Sequence, residues 1–492
     1  MNLAELLNKV SVIQVVGRAE AKEIDNISID SRNVNKNSLF FAIEGFKVDG
    51  HKYIPDVINQ NAAAVVLQNN TAVPDQIFTA NNCVKILVED SRKSLAGFSN
   101  VFYGEPSNKI FLIGVTGTKG KTTTAFYVKN VFQSAGFKTG LIGTIANFIG
   151  NREVKTMLTT PQSNEINSLL SQMVNEGCTH CVVEVSSHAL RLNRVDYLNF
   201  GSAIFTNITS DHMDYHKTSE HYLNSKKILF DMIPSSGKII FNADDPNAEK
   251  LIKDSNAKKY SYGTLQNTEF KISDIEFTLD GTTFNLEHIN NKYNLTTSLV
   301  GHFNAYNAAA AFSAAVVYGI DVQNALEGIK TTPQVPGRFE VISEKNKKVI
   351  IDYSHTSDSL KQALTAVHHI VKGNRMVYTV FGCGGDRDRT KRPEMGEIAS
   401  SMCNKVYVTS DNPRTENPFV IIDEIVKGIK TKNFSVIENR DEAIRNAIFE
   451  SEDDAVILVA GKGHENYQEI NGVRNHFSDK EIAIKYLAEW AK

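Results

Sequence analysis

The sequence predicts an α/β protein of three domains. Its 492 residues suggest about three domains, each able to bury its own core. Beyond about residue 106, short apolar strands alternate with helical stretches, which is typical of parallel sheets covered by helices. Pro336-Gly337 is a boundary signal between two such regions. We therefore expect domains at residues 1–105, 106–336 and 337–492.

Residues 1–105 predict a small α/β domain without a catalytic pattern. Four short strands and one helical stretch are predicted, at 27–29, 39–43, 64–67, 85–88 and 54–61. The polar segment Asp30-Ser31-Arg32, followed by glycines and His51, has groups that can hold a ligand. Taken alone, these residues fit ordinary turns better than a ligand site.

The middle region predicts a central, mostly parallel sheet with antiparallel strands appended to it. Strands are predicted at 110–115, 182–185, 202–205 and 238–241, and helices at 122–135, 162–176 and 219–232. The alternation changes near residue 270. There, Asp280-Gly281 separates two alternating stretches, 275–279 and 283–286, which indicates a hairpin.

Residues 337–492 return to strand–helix alternation. The predicted strands are 349–353, 376–381, 406–409 and 455–460. The pattern is Rossmann-like, although the G-x-G-x-x-G fingerprint is missing. A glycine-rich segment, 382–387, follows one strand, at the position where open α/β sheets bind ligands.

Composition excludes several classes of protein. Hydrophobic residues make up 41%, charged residues 22%, and the formal net charge is -3, which argues against a general nucleic-acid binder or a membrane-surface protein. No apolar run reaches the roughly 18 residues that span a bilayer, and the N-terminus lacks a basic region followed by an apolar core. We expect a cytoplasmic monomer with no nucleic-acid partner and no membrane insertion.

The five cysteines predict buried thiols rather than a metal site. Cys178 and Cys181 form a C-x-x-C pair, but no second pair or histidine cluster follows at zinc spacing. Both residues lie where an apolar segment begins, which favours burial.

The segment IFLIGVTGTKGKTTT, residues 110–124, predicts a phosphate-binding loop between a strand and a helix. Its glycines allow backbone N–H groups and a helix N-terminus to converge on phosphate. Lys121 supplies a positive charge, and the Thr122 hydroxyl is placed to meet Mg²⁺. Five residues separate Gly114 from Gly120 where the usual P-loop has four, so the tighter description is Gly117-Thr118-Lys119-Gly120-Lys121-Thr122. We expect a nucleoside triphosphate here, the alternative being an ordinary glycine turn.

Further polar clusters follow predicted strands of the middle region. Glu184 ends a strand and can hold Mg²⁺ opposite Thr122, although a surface glutamate is the alternative. The loop after the next strand carries two acids and two histidines, among them His212, and fits a metal site, a phosphate site or a plain polar loop equally well. Lys226 and Lys227 on the following helix look like a solvated pair.

The third region carries polar clusters at four predicted strand ends. Their residues include Asp352, Arg387, Asp411-Asn412-Pro413-Arg414 and Gly461 to Glu465. Guanidinium groups bind carboxylates in a bidentate manner, so the combination suits a small zwitterion. Each cluster alone also fits a helix cap with a salt bridge.

Taken together, the motifs of the chain resemble the Mur ligases. The similarity runs from about residue 30 to residue 465, and it is carried by GTKGKTT, EVSSHALRLNRV, FTNITSDHMDYH, YLNSKKILF, GHFNAYNAAAA, PGRFE, DYSHT, FGCGGDRDRTKRPEMG, DNPRTE and AGKGHE. Within that family the motifs look like those of the members that add the third peptide residue of the peptidoglycan precursor.

The resemblance implies an ATP-dependent amide ligase. ATP would phosphorylate a carboxylate of UDP-N-acetylmuramoyl-L-alanyl-D-glutamate, and the amine of meso-diaminopimelate would displace phosphate from the acyl phosphate. The family's catalytic positions correspond to Lys121, Glu184, His212 and Lys226. Its Mg²⁺ ligands correspond to Thr122, Glu184, His212 and Lys226, where CO₂ converts the lysine to a carbamate. This overrides the interpretation of Lys226 as solvated.

The resemblance also implies binding roles for further residues. Positions near ATP, in addition to the loop, correspond to Asn304, Asn307, Arg338 and Asp352. Positions that hold the UDP-muramoyl dipeptide correspond to Ser31, Thr159, Thr160, Ser186 and Arg194. The amino-acid pocket corresponds to Arg387, Asp411, Asn412, Pro413, Arg414, Gly461 and Glu465.

Three alternatives stay open at the level of sequence. The same reaction with L-lysine is the first, but lysine would leave Arg414 without the second carboxylate of diaminopimelate. Folylpolyglutamate synthetase shares the ATP loop, but it should lack the DNPR and GGDRD motifs. A P-loop ATPase or kinase with a regulatory third domain would turn over ATP without either ligation substrate.

Overall fold

The computed structural model describes the whole chain except Lys47, Ser210, His212 and the side chains of Met213 and Asp214. The chain forms two compact units. The first comprises Met1–Ser261 and Ser313–Ile320, and the second comprises Tyr262–Phe312 and Asp321–Lys492. The predicted boundaries of the three domains stay predictions.

The first unit contains two sheets and the helices that cover them. Its strands are β1 (Gln14–Val16), β2 (Asn26–Ser28), β3 (Ser38–Phe41), β4 (Ala64–Leu67), β5 (Val84–Leu87), β6 (Phe111–Thr116), β7 (Thr139–Ile142), β8 (Asn147–Ile149), β9 (Arg152–Val154), β10 (His180–Glu184), β11 (Phe200–Phe205) and β12 (Lys238–Asn242). Its helices are α1 (Leu3–Leu7), α2 (Ile54–Asn59), α3 (Asp75–Ala80), α4 (Ser91–Phe102), α5 (Lys121–Ser134), α6 (Ser163–Asn175), α7 (Ser187–Arg191), α8 (Met213–His216), α9 (Ser219–Asp231) and α10 (Ala248–Ile252).

Two elements cross the division, and the remaining ones belong to the second unit. The crossing elements are β13 (Lys258–Gly263) and α11 (His302–Val317). The others are β14 (Phe270–Thr278), β15 (Gly281–His288), β16 (Asn291–Thr297), α12 (Val322–Lys330), β17 (Glu340–Glu344), β18 (Lys347–Asp352), α13 (Ser357–Val371), β19 (Val377–Phe381), α14 (Lys391–Met402), β20 (Lys405–Val408), α15 (Pro418–Val426), β21 (Phe434–Val436), α16 (Arg440–Glu450), β22 (Val456–Ala460), β23 (Tyr467–Ile470), β24 (Val473–His476) and α17 (Asp479–Trp490).

The N-terminal sheet has the strand order β1-β5-β4-β3-β2. Its four predicted strands, β2 to β5, pair in parallel, and the unpredicted β1 pairs antiparallel with β5. The apolar residues of β2 to β5 are buried in the core. The predicted small α/β domain is therefore confirmed as a fold.

The central sheet places five parallel strands side by side. Within the first unit the order is β12-β11-β6-β10-β7-β8-β9, and the pairs from β12 to β7 are parallel. Strands β6, β10 and β11 are buried along most of their length because α5, α6, α7 and α9 provide apolar side chains. As a result, the loops after β6, β7, β10 and β11 emerge from one edge of the sheet.

The second unit contains the predicted hairpin and a six-stranded sheet. Strands β14 and β15 pair antiparallel around the predicted turn, and the unpredicted β16 extends them. The larger sheet has the order β17-β18-β22-β19-β20-β21 and is parallel except for β17. Its carboxyl edge therefore carries the residues that follow β18, β19, β20 and β22.

The cysteine thiols and the helices both bear on predictions made from the sequence. Cys178 and Cys181 are buried free thiols, as their position at the start of an apolar segment predicts. Across the described residues, no helix has the length and apolar character needed to cross a membrane.

A buried ion pair anchors the end of β22. Arg440 at the start of α16 and Asp479 at the start of α17 are both fully buried. Arg440 donates from Nε to Asp479 Oδ1 at 2.7 Å and from Nη2 to Asp479 Oδ2 at 2.8 Å, and Nη2 also donates to the carbonyl of Ala460 at 2.9 Å. The pair therefore fixes the backbone directly before Gly461.

Replacing Arg440 with methionine should destabilise the second unit strongly. The substitution leaves the Asp479 carboxylate buried without its partner, which costs about 3–5 kcal/mol. Denaturant unfolding measures the change. The matched control is Lys430→Met, which breaks the exposed Lys430–Glu397 pair and should leave the midpoint unchanged. Equal midpoints for the two variants would contradict the assigned role of the buried pair.

Candidate active site

The predicted phosphate loop connects β6 to α5, and two glycines shape it. At Gly117 a Cβ atom would lie 1.9 Å from Thr206 Oγ1, so no side chain fits there. Gly120 has a φ of +82° and precedes the first residue of α5, Lys121. A left-handed backbone at that point costs glycine little. The N-terminus of α5 thus begins inside the loop, as the sequence predicts.

The segment after β11 holds the backbone of this loop. The Thr118 N–H donates to the Asn207 carbonyl at 2.7 Å, and the Lys119 N–H donates to Asn207 Oδ1 at 3.0 Å. The Thr206 hydroxyl donates to the Lys119 carbonyl at 2.6 Å. Thr206 and Asn207 therefore support the conformation of the phosphate loop.

Glu184 lies beside the loop and is fully buried. Its Oε2 accepts hydrogen bonds from the Thr122 hydroxyl at 2.8 Å and the Thr144 hydroxyl at 2.9 Å. Its Oε1 accepts one from the Thr144 N–H at 2.9 Å. The interpretation of Glu184 as a surface residue is therefore wrong, because the parallel neighbours β6 and β7 enclose the end of β10.

Sequence reasoning missed Thr144. The signal available was an apolar run, Leu141 to Ile142, followed by Gly143-Thr144, which is the pattern of a strand end with a polar side chain. Glycine is needed at 143 because a Cβ there would lie 2.2 Å from Glu184 Oε1. The close approach lets the backbone of Thr144 reach the carboxylate.

Lys226 is buried rather than solvated, with 1% of its surface exposed. Its Nζ donates to the Gly117 carbonyl at 2.8 Å and lies 4.6 Å from the centre of the Tyr222 ring. Burial and the nearby charge of Lys121 hold the pKa of Lys226 well below its usual range. The interpretation of a solvated pair is therefore wrong for Lys226. Lys227 stays at the surface in ion pairs with acidic side chains.

Lys121 meets the same carbonyl as Lys226. Its Nζ donates to the carbonyls of Gly117 and Thr118, both at 2.9 Å. The two lysines thus converge on Gly117 from different helices, α5 and α9. The fourth predicted catalytic residue, His212, lies outside the described residues.

Four of the five residues predicted for the muramoyl substrate lie together around Glu184. Thr160 donates from Oγ1 to the Glu184 carbonyl at 2.7 Å, and the Ser186 N–H donates to Thr160 Oγ1 at 3.1 Å. Arg194 Nη1 donates to the Thr160 carbonyl at 2.8 Å. Thr159 Oγ1 lies 3.1 Å from Thr144 Oγ1.

The fifth such residue, Ser31, belongs to the N-terminal sheet of the same unit. It begins the short 3₁₀ turn Ser31–Asn33 after β2 and is partly exposed. Asp30 caps that turn by accepting from the Arg32 N–H at 3.0 Å. The segment thus forms a turn that follows β2, and the role of Ser31 in substrate binding stays a prediction.

The residues predicted near ATP in the second unit form two pairs. Asn304 and Asn307 are buried on α11, where Asn307 Nδ2 donates to Asn304 Oδ1 at 3.0 Å. Arg338 lies over the ring of Tyr353, with its guanidinium carbon 4.6 Å from the ring centre. Asp352 accepts from the Phe339 N–H at 2.7 Å, and burial raises the pKa of its carboxyl group although Arg338 acts in the opposite direction.

The residues predicted for the amino acid come together at the carboxyl edge of the six-stranded sheet. Asn412 Nδ2 donates to Glu465 Oε2 at 2.7 Å, which joins the loops after β20 and β22. A Cβ on Gly461 would lie 2.5 Å from Asp411 Oδ2, so glycine is needed for this approach. Burial raises the pKa of Glu465, against the effect of nearby Lys462.

Lys462 was missed as a site residue, although it lies within the Gly461-to-Glu465 cluster. It is fully buried, and its Nζ donates to Asn412 Oδ1 at 3.1 Å and lies 3.5 Å from Glu465 Oε2. Its charge therefore lies between the two side chains that the sequence assigned to the pocket. The signal in the sequence was a lysine between two glycines, Gly461 and Gly463, directly after a predicted strand.

Arg414 occupies a left-handed position, with a φ of +52°. Its Nη1 donates to the Gly385 carbonyl at 2.6 Å, and its backbone N–H donates to the Glu469 carbonyl at 3.0 Å. Pro413 lies directly before it, and its carbonyl would be 1.9 Å from a Cβ on Gly385. Arg387, in the same glycine-rich loop, is exposed.

The two units offer different chemistry. The first presents a phosphate loop beside a buried carboxylate and a buried lysine of lowered pKa. The second presents arginine, amide and carboxyl groups at one sheet edge. Within the described residues, no group of three or more His, Cys, Asp or Glu side chains is arranged for a metal ion. Four residues are predicted to bind Mg²⁺: Thr122, Glu184, His212 and Lys226. Among those that the structure describes, Glu184 is the only one that is a His, Cys, Asp or Glu residue.

Models of Mur ligase domains match the chain in three places. The Mur ligase family catalytic domain matches residues 23–103, the Mur ligase middle domain matches 115–315, and the Mur ligase glutamate ligase domain matches 337–463. These matches contain the phosphate loop, Glu184 and Lys226 in the middle region and Arg414 in the last.

Full-length relatives give the same result. UDP-N-acetylmuramoyl-L-alanyl-D-glutamate–2,6-diaminopimelate ligase 1 of Clostridium acetobutylicum is 42% identical, with 99% of this chain and all of the relative covered. The corresponding ligase of Cytophaga hutchinsonii is also 42% identical, with 99% of both chains covered. A solved structure of such a ligase is 29% identical, with a TM-score of 0.69 and 99% of both chains covered.

These similarities confirm two predictions, the α/β fold class with three domains and the resemblance drawn from the motifs. They extend over nearly the whole chain, so they include both the phosphate loop and the cluster around Arg414. The chain belongs to the Mur ligase family.

Proposed function

We propose that this Mur ligase joins meso-diaminopimelate to the D-glutamyl residue of UDP-N-acetylmuramoyl-L-alanyl-D-glutamate, a step of peptidoglycan precursor synthesis. The γ-phosphoryl group of ATP passes to the substrate carboxylate and forms an acyl phosphate. The amine then attacks that carbonyl and phosphate leaves, which gives an amide, ADP and phosphate. The observation that carries the choice of substrates is full-length similarity, at 42% identity, to a diaminopimelate ligase.

The phosphate loop is proposed to bind ATP. Phosphoryl transfer needs positioning and neutralisation of charge more than covalent assistance from the protein. Residues 117–122 supply backbone N–H groups, a helix N-terminus and the charge of Lys121. Asn304, Asn307, Arg338 and Asp352 are proposed as further ATP-binding residues, and their role rests on the family resemblance.

Thr122 and Glu184 are proposed to hold Mg²⁺, with His212 and the modified Lys226 as further ligands. The fit lies in the donors, because a hydroxyl and a carboxylate 2.8 Å apart are the hard oxygen ligands that Mg²⁺ prefers. The bound ion would neutralise charge on the phosphates. Thr144 then acts as the group that orients the Glu184 carboxylate through two hydrogen bonds.

Lys226 is proposed to carry a carbamate formed with CO₂. Only a neutral amine attacks CO₂, and the lowered pKa of this buried lysine favours the neutral form. Modification would replace an amine that donates to the Gly117 carbonyl with a carboxylate. Lys121 would then face an anion, which removes the repulsion between the two lysines.

The muramoyl dipeptide is proposed to bind along Thr159, Thr160, Ser186 and Arg194, with Ser31 at the uridine end. These four central residues adjoin Glu184, so the substrate carboxylate would lie near the transferred phosphoryl group. The amino acid is proposed to bind at Arg387, Asp411, Asn412, Pro413, Arg414, Gly461 and Glu465. Arg414 would pair with the second carboxylate of diaminopimelate, which lysine lacks.

The substrate assignment predicts a strong preference for diaminopimelate. ADP release should require both the muramoyl dipeptide and diaminopimelate, and kcat/KM for L-lysine should be lower by at least about tenfold, because Arg414 would be left unpaired. A coupled ADP assay with each amino acid measures the ratio. Comparable values for the two amino acids would contradict the choice of diaminopimelate, and ADP release without any amino acid would favour an ATPase.

Lys121→Ala should abolish ligation. Removal of a charge that stabilises the transferred phosphoryl group lowers kcat by about 10²-fold or more. Steady-state kinetics measures the loss, and thermal unfolding shows whether the fold is kept. Lys250→Ala, on the exposed side of α10, is the control and should retain full activity. Activity of Lys121→Ala within twofold of the unmodified enzyme would rule out this role.

Lys226→Ala should be nearly inactive and should regain part of its activity with formate or acetate, which replace the carbamate's carboxylate. Lys227→Ala, one residue away at the surface, should behave like the unmodified enzyme. A second readout does not depend on activity: ¹³C-bicarbonate should give a carbamate signal by NMR in the original protein and none in Lys226→Ala. The absence of both the signal and the rescue would show that the carbamate assignment is wrong.

A further inference from the structure

We infer that Arg392 is a positioning residue for amino-acid selection, because it fastens the loop after β19 to the loop that carries Arg414. The inference rests on the proposed function, since it assumes that Arg414 distinguishes diaminopimelate from lysine. Arg392 lies in the first turn of α14, within the segment FGCGGDRDRTKRPEMG. It does not belong to the predicted pocket.

The Arg392 guanidinium is fully buried and is held by two glutamates. Nη1 donates to Glu416 Oε2 at 2.9 Å and to Glu424 Oε2 at 2.7 Å, and Nη2 donates to Glu416 Oε1 at 2.8 Å. The contact with Glu416 is bidentate, which fixes direction as well as distance. Nη2 also donates to the Gly384 carbonyl at 3.1 Å. One side chain therefore joins the glycine-rich loop to the segment just after Arg414.

The charges of this cluster are balanced. The hydrogen bond from Arg389 holds the pKa of Glu424 at about 2, and the hydrogen bond from Arg392 holds the pKa of Glu416 below its usual range. Both carboxyl groups are therefore ionised at neutral pH. Two arginines face two carboxylates, so Arg392 has no charge to spare for a bound amino acid.

Further hydrogen bonds join the same two loops on either side of Arg414. The Asp386 N–H donates to Glu416 Oε1 at 2.6 Å, and the Thr415 hydroxyl donates to Asp386 Oδ1 at 2.8 Å. The Gly385 N–H donates to the Asn412 carbonyl at 2.9 Å, and Arg414 Nη1 donates back to the Gly385 carbonyl at 2.6 Å. The position of the Arg414 guanidinium thus depends on the position of the glycine-rich loop.

Loss of the Arg392–Glu416 pair should therefore affect diaminopimelate more than lysine. Without the pair, the Gly385 carbonyl and Arg414 are no longer held in a fixed position relative to each other. A displacement of about 1 Å at a positioned group can reduce a rate about 10²-fold. Lysine has no second carboxylate for Arg414 to meet, so its low kcat/KM should change little. The expected signature is a loss of selectivity rather than a general loss of activity.

Two variants test this inference. Arg392→Lys keeps the charge but cannot form the bidentate contact, and the double variant Arg392→Met with Glu416→Gln removes both charges of the pair. In each, KM for diaminopimelate should rise about 10-fold or more, while KM for ATP and for the muramoyl dipeptide should stay within twofold. The ratio of kcat/KM for diaminopimelate to that for lysine should fall by the same factor. Thermal unfolding shows which of the two variants keep the fold. The kinetic comparison is valid for any variant that keeps it.

Arg389→Gln is the matched control. Arg389 also pairs with Glu424, but it is largely exposed and its hydrogen bonds go to Glu424 rather than to Glu416 or Gly384. In Arg389→Gln, the ratio of kcat/KM for diaminopimelate to that for lysine should equal that of the original enzyme. A ratio that stays unchanged in the Arg392 variants, or that falls equally in Arg389→Gln, would overturn the inference. If the original enzyme shows no preference for diaminopimelate, the proposed substrate fails instead, and that measurement is made first.

Discussion

Two lysines, Lys121 and Lys226, donate to one carbonyl oxygen, that of Gly117. This convergence depends on a phosphate loop that turns without a side chain at residue 117, where a Cβ would overlap Thr206. It also depends on α9, which brings its lysine to the same point from the other side of the sheet's edge. Burial and the nearby charge of Lys121 lower the pKa of Lys226 and favour its neutral form, which is the form that the proposed carbamate requires.

In the second unit, hydrogen bonds join several loops to one another instead of meeting at a single carbonyl oxygen. The loops after β19, β20 and β22 exchange hydrogen bonds through Asn412, Lys462 and Arg392, and each of these polar side chains is buried. A buried polar network of this kind is stable only when its members find partners. Most of the polar residues at this edge therefore hold other residues in place, whereas Arg387 is exposed and Arg414 is partly exposed.

Much of the fold could be predicted because its signals are local. The predicted strands of the N-terminal, central and C-terminal sheets agree with the structure to within two residues in nearly every case, since each is a short apolar run bounded by polar or glycine residues. Longer strands such as β16 and β17 were missed as well, and so were β1, β8 and β21, which have three residues each. Runs that short do not separate a strand from a turn.

The sequence by itself determined the glycine-rich loop, the order of strands and helices, and the motif set that indicates a Mur ligase, because each depends on neighbouring residues. Only the tertiary structure decided that Lys226 is buried while Lys227 is not, since one helical step moves a side chain from the sheet to the solvent. It also decided that Thr144 donates to Glu184 and that Arg392 pairs with Glu416. Those contacts join residues 40 and 24 positions apart, which meet because parallel strands bring their loops to one edge.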